Sequence, residues 1–274
     1  MSDMKLSRPL LLVGCGKMGS AMLSGWLESG IAAGGVIAVE PMGMPPEFSG
    51  VAGVDVVASA DELTDDLDPE VVVFAVKPQQ MDDVTPAYRR FAGCNTAFLS
   101  IAAGKNIAYF TAQLGDGAVI VRAMPNTPAA IGKGITALYN GDAPDHIAAL
   151  ASQLLSAIGE VVVLDDESQM DAVTAVSGSG PAYVFLLAEV MTAAGIKVGL
   201  PPALAKQLAE ATVSGAGALV AESDDPPSQL RVNVTSKGGT TAAALAVLMA
   251  EDGMAPLLEK AIRAARDRSV ELGG

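Results

Sequence analysis

Between Pro9 and Gly19 the chain reads PLLLVGCGKMG, an apolar run that ends in Gly14-x-Gly16-x-x-Gly19. No other stretch restricts the fold as strongly. Such a run closing on spaced glycines is a strand turning tightly into a helix: Gly14 permits the turn, Gly16 lets backbone approach a pyrophosphate, and Gly19 lets the helix lie close on the strand. The helix start that follows favours negative charge through its unpaired N–H groups and its dipole. A helical stretch from Met18 to Glu28 and a second strand, Val36 to Val39, ending at Glu40, supply context that a glycine triplet alone lacks. The chain therefore opens with a dinucleotide-binding unit, and Gly14, Gly16, Lys17, Met18 and Gly19 are its candidate phosphate loop. Cys15, inside the turn, reads as a small residue tolerated beside backbone.

Further apolar runs follow at Val54 to Ala58, Val71 to Val76, Ala97 to Ile101 and Ala118 to Arg122. Continuous valine-rich runs of this length suit a mostly parallel sheet buried on both faces. Gly134 to Tyr139 and Glu160 to Leu164 read as two more strands, separated by a helix from about Pro144 to Ile158. After Asp165 the valine runs give way to alanine-rich segments with helix start signals. Ser179-Gly180-Pro181 offers a capping serine and a first-turn proline, Pro201-Pro202 opens the next helix to about Ala221, and shorter segments follow at Gln229 to Val232, Thr240 to Ala250 and Ala255 to Val270. The expected fold is α/β: a Rossmann-type dinucleotide-binding domain over residues 1–165, then an all-helical domain over 166–274. The first long helix, AYVFLLAEVMTAAG, is apolar all round, so it must be buried. A domain of that size has little interior for several such helices, and burial against a second subunit is expected.

A formal net charge of −14, with no cluster of Lys or Arg, argues against a nucleic-acid partner. Half the residues are hydrophobic, yet charges, glycines and prolines interrupt the apolar runs before a spanning length of roughly 20 residues. The chain reads as soluble, without a membrane partner. The start, MSDMKLSRP, does not resemble a secretory signal, and Cys15 and Cys94 are too few for a disulfide framework or a cysteine metal cage. A cytoplasmic protein is expected, with no metal site. His146 is the single histidine and stands where an exposed helix begins, which removes the usual histidine relay of dehydrogenases unless His146 itself serves.

Four further stretches carry chemistry. Glu40 closes the second strand, where a carboxylate accepts hydrogen bonds from a ribose and repels a 2′-phosphate, or simply marks a strand end. Ala75-Val76-Lys77-Pro78 ends the fourth strand, beyond which ligands of open parallel sheets bind; Lys77 either meets a cofactor or is a solvated strand-end lysine. Arg122-Ala-Met-Pro-Asn-Thr-Pro closes the sixth strand, and its prolines stiffen the loop carrying Asn126 and Thr127, either as a wall for a nicotinamide or as a rigid turn. Asn233-Val-Thr-Ser-Lys-Gly-Gly-Thr-Thr241 runs into an apolar helix. It combines hydroxyls with free backbone N–H groups, the kit for gripping a carboxylate, or is a capped helix with a flexible entry.

With GCGKMG, AVKP at 75–78, RAMPNTPA at 122–129, SGSGPAY at 177–183 and NVTSKGGTT at 233–241 in order, the chain resembles the pyrroline-5-carboxylate reductase family over almost its whole length. Family members commonly have proline where this chain has Lys237. The resemblance implies reduction of L-1-pyrroline-5-carboxylate to L-proline by hydride transfer from NADH or NADPH, the last step of proline synthesis. It also implies a dimer interlocked through the helical domain and often assembled into a decamer. Carried over by motif, Ser236, Gly239, Thr240 and Thr241 bind the substrate carboxylate, with Thr241 also near the ring nitrogen as the catalytic residue. Asn233 and Glu167 match positions at the substrate or cofactor. Ala75, Val76, Lys77, Pro78 and Asn126 border the cofactor, for which Glu40 leans toward NADH. The competing readings are a β-hydroxyacid dehydrogenase, disfavoured because Lys197 sits at a frayed helix end, and a non-catalytic NAD(P) sensor, which has no need of a hydroxyl-lined anion loop.

Overall fold

The computed structural model describes residues 5–93 and 95–273; Cys94 and the first four residues of the N-terminal segment lie outside them. The chain forms two compact units, Met1–Gly178 together with Arg266–Gly274, and Ser179–Ala265. The division at 178/179 falls beyond the 165/166 boundary read from composition, and the end of the chain returns to the first unit.

The first unit is built on one eight-stranded sheet of order β3-β2-β1-β4-β5-β6-β7-β8. Its strands are β1 (Leu10–Val13), β2 (Val36–Val39), β3 (Val54–Val57), β4 (Val71–Phe74), β5 (Ala97–Ser100), β6 (Val119–Met124), β7 (Gly134–Tyr139) and β8 (Gly159–Val163). The strands stand close to the valine-rich runs of the sequence. All neighbours are parallel except β6 and β7. The reason lies in chain length: the connection 125–133 is shorter than the dozen or so residues that a parallel crossover needs.

Helices α1 (Lys17–Ser29), α2 (Met81–Val84), α3 (Ile107–Leu114) and α4 (Asp145–Ser156) cover the sheet. On one face Leu10, Leu12 and Leu99 pack with Trp26 of α1 and Leu154 of α4; the Trp26 indole donates to the Leu154 carbonyl at 2.9 Å. On the other face Leu11, Phe74 and Phe98 pack with Tyr88 and Phe110. Burial on both sides explains why β1 and β4 are apolar at every position. Register places Val13 beside Phe74, Phe74 beside Ser100 and Ser100 beside Arg122, a single row along the carboxyl ends of β1, β4 and β5. Exposed His146 lies in the first turn of α4.

A short helix α5 (Met170–Val173) continues through a π turn, Thr174–Gly178, towards α6 (Gly180–Lys197). As expected, α6 starts at Gly180 with Ser179 at its N-cap position and Pro181 in its first turn, but Ser179 makes no side-chain cap. The π turn that precedes it was not expected. Among the described residues, 167–197 is one helical run long and apolar enough, by length and composition, to cross a membrane, although Asp171, Pro181 and Glu189 interrupt its apolar sequence.

The second unit holds α6, α7 (Pro202–Glu222), α8 (Pro227–Asn233), α9 (Thr240–Leu248) and the start of α10 (Met254–Gly273). The close approach of α6 and α7 uses small residues: a Cβ on Gly195 would stand 3.3 Å from that of Ala205. Within one chain, however, α6 buries none of its residues and α7 buries only Ala205 and Ala209. Phe185, Leu186, Val190, Leu219 and Val247 face outward. The burial expected for an apolar helix is thus not achieved inside a single subunit.

Candidate functional site

The glycine turn is built from β1 outward. Gly14 has φ +91°, a conformation that strains any residue with a Cβ, and a Cβ there would lie 2.7 Å from Val76 Cγ1. Val76 follows β4, so the turn is pressed against the end of that strand. Gly19 is closed in differently: a Cβ would collide with the Gly14 carbonyl oxygen. Gly16, the N-cap of α1, has nothing within 4 Å of such a position and carries no side-chain cap. The first amides of α1, at Lys17, Met18 and Gly19, lack intrahelical acceptors by helix geometry. The turn is packed on two sides and open on the third, the shape a phosphate group needs.

Glu40 reaches back to this turn. Its Oε2 accepts the Cys15 amide at 2.8 Å and its Oε1 the Met42 amide at 3.2 Å. The carboxylate is fixed beside the loop, with lone pairs left for further donors. Burial pushes the Cys15 thiol above its ordinary range, so it stays protonated, in line with a packing role.

The backbone ladder carries on past the strand ends: Gly14 N donates to the Val39 carbonyl, Ala75 N to Val13 and Ile101 N to Phe74. The segments 14–19, 75–78 and 101–106 therefore leave the sheet side by side along one edge. Lys77 is exposed there, ahead of a short turn at Pro78–Gln80. Asn126 faces another way: it is buried, and its Oδ1 accepts the Ile135 amide at 3.0 Å, which ties the 125–133 loop to β7.

Glu167 belongs to the first unit. Its Oε1 accepts from Arg122 Nη1 and from the Ile107 amide, each at 2.8 Å. The partner Arg122 is buried, and with Glu167, Asn106 and Asp171 it lines a cavity of about 350 Å³. Sequence reading had grouped Arg122 only with its loop. The pairing joins residues 45 positions apart, and no local pattern announces it.

The loop 233–241 lies wholly in the second unit. Gly238 has φ +72°, and a Cβ on Gly239 would collide with Ser236 Oγ. This fold brings Ser236 beside the N-cap of α9, with the Gly239 amide donating to the Ser236 carbonyl at 3.0 Å. No side chain caps α9, so the amides of Thr240, Thr241 and Ala242 have no intrahelical acceptor. Ser236 and Thr240 are exposed and Thr241 is half-buried. Asn233 bonds instead within its neighbourhood, accepting from Gln229 Nε2 at 2.7 Å and donating to Asp225 Oδ2 at 3.3 Å. Lys237 is exposed. Among the described residues no group of three or more His, Cys, Asp or Glu is placed to hold a metal.

Comparison with known proteins gives consistent results. Residues 167–272 match the sequence family described as pyrroline-5-carboxylate reductase dimerisation, and residues 10–104 match the family described as NADP oxidoreductase, coenzyme F420-dependent. The chain is 42% identical to a pyrroline-5-carboxylate reductase of Pseudomonas aeruginosa over 96% of both chains. Its fold is similar to that of a pyrroline-5-carboxylate reductase from Coxiella burnetii, with a TM-score of 0.88 and 31% identity over 98% of this chain and 100% of the other. It is also similar to that of a Plasmodium falciparum pyrroline carboxylate reductase solved with NADP bound, with a TM-score of 0.83 and 29% identity over 99% and 100%.

Proposed function

The chain belongs to the pyrroline-5-carboxylate reductase family, and we propose how its residues divide the work of that reaction, the reduction of L-1-pyrroline-5-carboxylate to L-proline. The observation that carries this reading is the glycine cradle, closed by Val76 and the Gly14 carbonyl and open in front of Gly16. It fits a dinucleotide pyrophosphate held by the first amides of α1. Gly14, Gly16, Lys17, Met18 and Gly19 hold the phosphates, Glu40 takes the adenosine ribose, and Ala75 to Pro78 border the cofactor beyond β4. Asn126 shapes its loop from behind, through Ile135. When bound, the nicotinamide supplies a hydride to the imine carbon.

The second unit handles the substrate. The free amides of Thr240 and Thr241, with the Ser236 hydroxyl and the Gly239 backbone, grip the carboxylate. The Thr241 hydroxyl accepts from the N–H of the protonated imine and keeps the ring carbon turned toward the reductant. A protonated cyclic imine is already electrophilic, so the residues need only orient and exclude; no histidine is called on, and catalysis is chiefly proximity. The protein is a homo-oligomer, and the outward apolar faces of α6, α7 and α9 are the surfaces that a second subunit covers. On this reading the 167–197 run meets protein and not lipid, the protein works in the cytoplasm, and five dimers build a decamer, which solution mass measurement tests.

The test is oxidation of NADH and of NADPH by purified protein with pyrroline-5-carboxylate, followed by absorbance, with proline measured as product. Turnover with proline formation is expected, with NADH the better donor. Dinucleotide binding without turnover would refute the assignment.

A further inference from the structure

We propose that Arg122 is a positioning residue for the reductase reaction: through Glu167 it fixes the start of α3 and the 101–106 segment, backbone that borders the nicotinamide half of the crevice. The proposal rests on the family reading above. Direction comes first. Glu40, assigned to the adenosine ribose, stands on the β2 side of β1. The other half of a dinucleotide lying across the glycine turn then extends the opposite way, over β4 and β5. Arg122 sits on β6 in the row Val13, Phe74, Ser100, Arg122. With neighbouring strands about 4.8 Å apart, that is roughly 14 Å across the sheet from the glycine turn.

The contact itself is directional. One carboxylate oxygen, Glu167 Oε1, accepts both the Arg122 guanidinium and the amide of Ile107, the first residue of α3. The Arg122 side chain is 7% exposed and that of Glu167 28%. A pair this desolvated adds little net stability, because removing both charges from water costs about what their attraction returns. What it provides is a fixed geometry: a charged acceptor held by a planar guanidinium sets where the α3 amide must lie.

A second contact holds the same segment. Gly104 has φ +76°, and a Cβ on it would stand 3.0 Å from backbone of Leu272 and Gly273, the last turn of α10. Ser269, on that helix, donates to Asp171 Oδ1 at 2.6 Å, and Asp171 follows Glu167 by one helical turn. The segment is thus held at Ile107 by Glu167 and at Gly104 by the end of α10.

The test replaces the whole pair at once, as Arg122→Met with Glu167→Leu, since exchanging a buried pair for apolar residues is often neutral for stability. Two readouts are taken. The first is hydrogen exchange at the Ile107 amide in the protein without dinucleotide, expected to accelerate about tenfold as local opening becomes easier. The second is turnover with NADH and with NADH deuterated at the transferring position. A misplaced nicotinamide is expected to lower kcat by about 30-fold and to raise the primary isotope effect, which a loss of folded protein alone would not do. Glu167→Gln keeps an acceptor oxygen for the Ile107 amide and is expected to exchange there more slowly than the double variant. If the double variant does not fold, Glu167→Asp, which withdraws the carboxylate by one methylene, takes its place with the same expected directions. Unchanged exchange, an unchanged isotope effect, or a Gln variant whose Ile107 amide exchanges as fast as that of the double variant overturns the proposal. The exchange arm needs no substrate, so absence of proline formation by the wild-type protein is read separately, as failure of the reductase reading.

Discussion

Replacing Glu40 by Gln isolates the charge of that residue from its structural duty. In the wild-type protein Oε2 holds the Cys15 amide at 2.8 Å and Oε1 the Met42 amide at 3.2 Å; Gln keeps a carbonyl oxygen for the glycine turn and loses the negative charge. A 2′-phosphate on a ribose bound beside Glu40 would stand about 5 Å from the carboxylate. For an effective dielectric between about 20 and 80, each pair of unit charges at that distance repels by roughly 1 to 3 kcal/mol. Since about 1.4 kcal/mol is a factor of ten, the ratio of kcat/KM for NADPH to that for NADH should rise by about 10- to 100-fold in Glu40→Gln. The gain should shrink with added salt, because the screening length falls from about 10 Å at 0.1 M to about 3 Å at 1 M ionic strength. Initial rates with both donors, for both proteins at two salt concentrations, give the four ratios required. Glu40→Ala removes the same charge, so the ratio should rise there too, but it also leaves the Cys15 amide without its acceptor, at a cost of about 1–3 kcal/mol, and should weaken both donors in absolute terms. A ratio that stays put in Glu40→Gln at low salt refutes the reasoning.

Gly19→Ala forces a methyl onto the Gly14 carbonyl, an overpacking worth about 1–3 kcal/mol; dinucleotide titration by fluorescence should show weaker binding, and wild-type affinity would mean that the turn yields freely. Thr241→Ala should lower kcat more than it weakens dinucleotide binding, and unchanged turnover removes Thr241 from the mechanism. Phe185→Asp puts a charge on the exposed apolar face of α6 and should shift the protein toward monomer in analytical ultracentrifugation, with activity lost at low protein concentration. An undiminished oligomer would place that face outside the interface.

The sequence carried the inner strands almost to the residue because β1, β4 and β5 are buried on both faces and apolar almost throughout, while the exposed edge strands β3 and β8 were legible only as valine runs. The roles of Gly14 and Gly19 were legible for a similar reason, since close backbone approach admits only glycine. Three features were not legible. The antiparallel β7 depends on the length of a connection and not on the strand's own residues, and nothing in residues 174–178 marks the π turn that they form ahead of α6. The Arg122–Glu167 pair and the bond from Asn126 to Ile135 depend on tertiary proximity, so the residues looked like ordinary members of polar loops. The outward faces of α6 and α7 had been read correctly as needing cover, but a single chain holds no cover for them.

The return of Arg266–Gly274 to the first unit bears on how the chain is made. Synthesis runs from the N-terminus at about 5–20 residues per second, so the sheet is complete in sequence long before Ser269 is translated. Ser269 reaches Asp171 only after the whole helical unit has been translated. The first unit is therefore closed by residues made after the second. Changes in Arg266–Gly274 act on the dinucleotide-binding half of the protein and not on the helical half that precedes them in the gene.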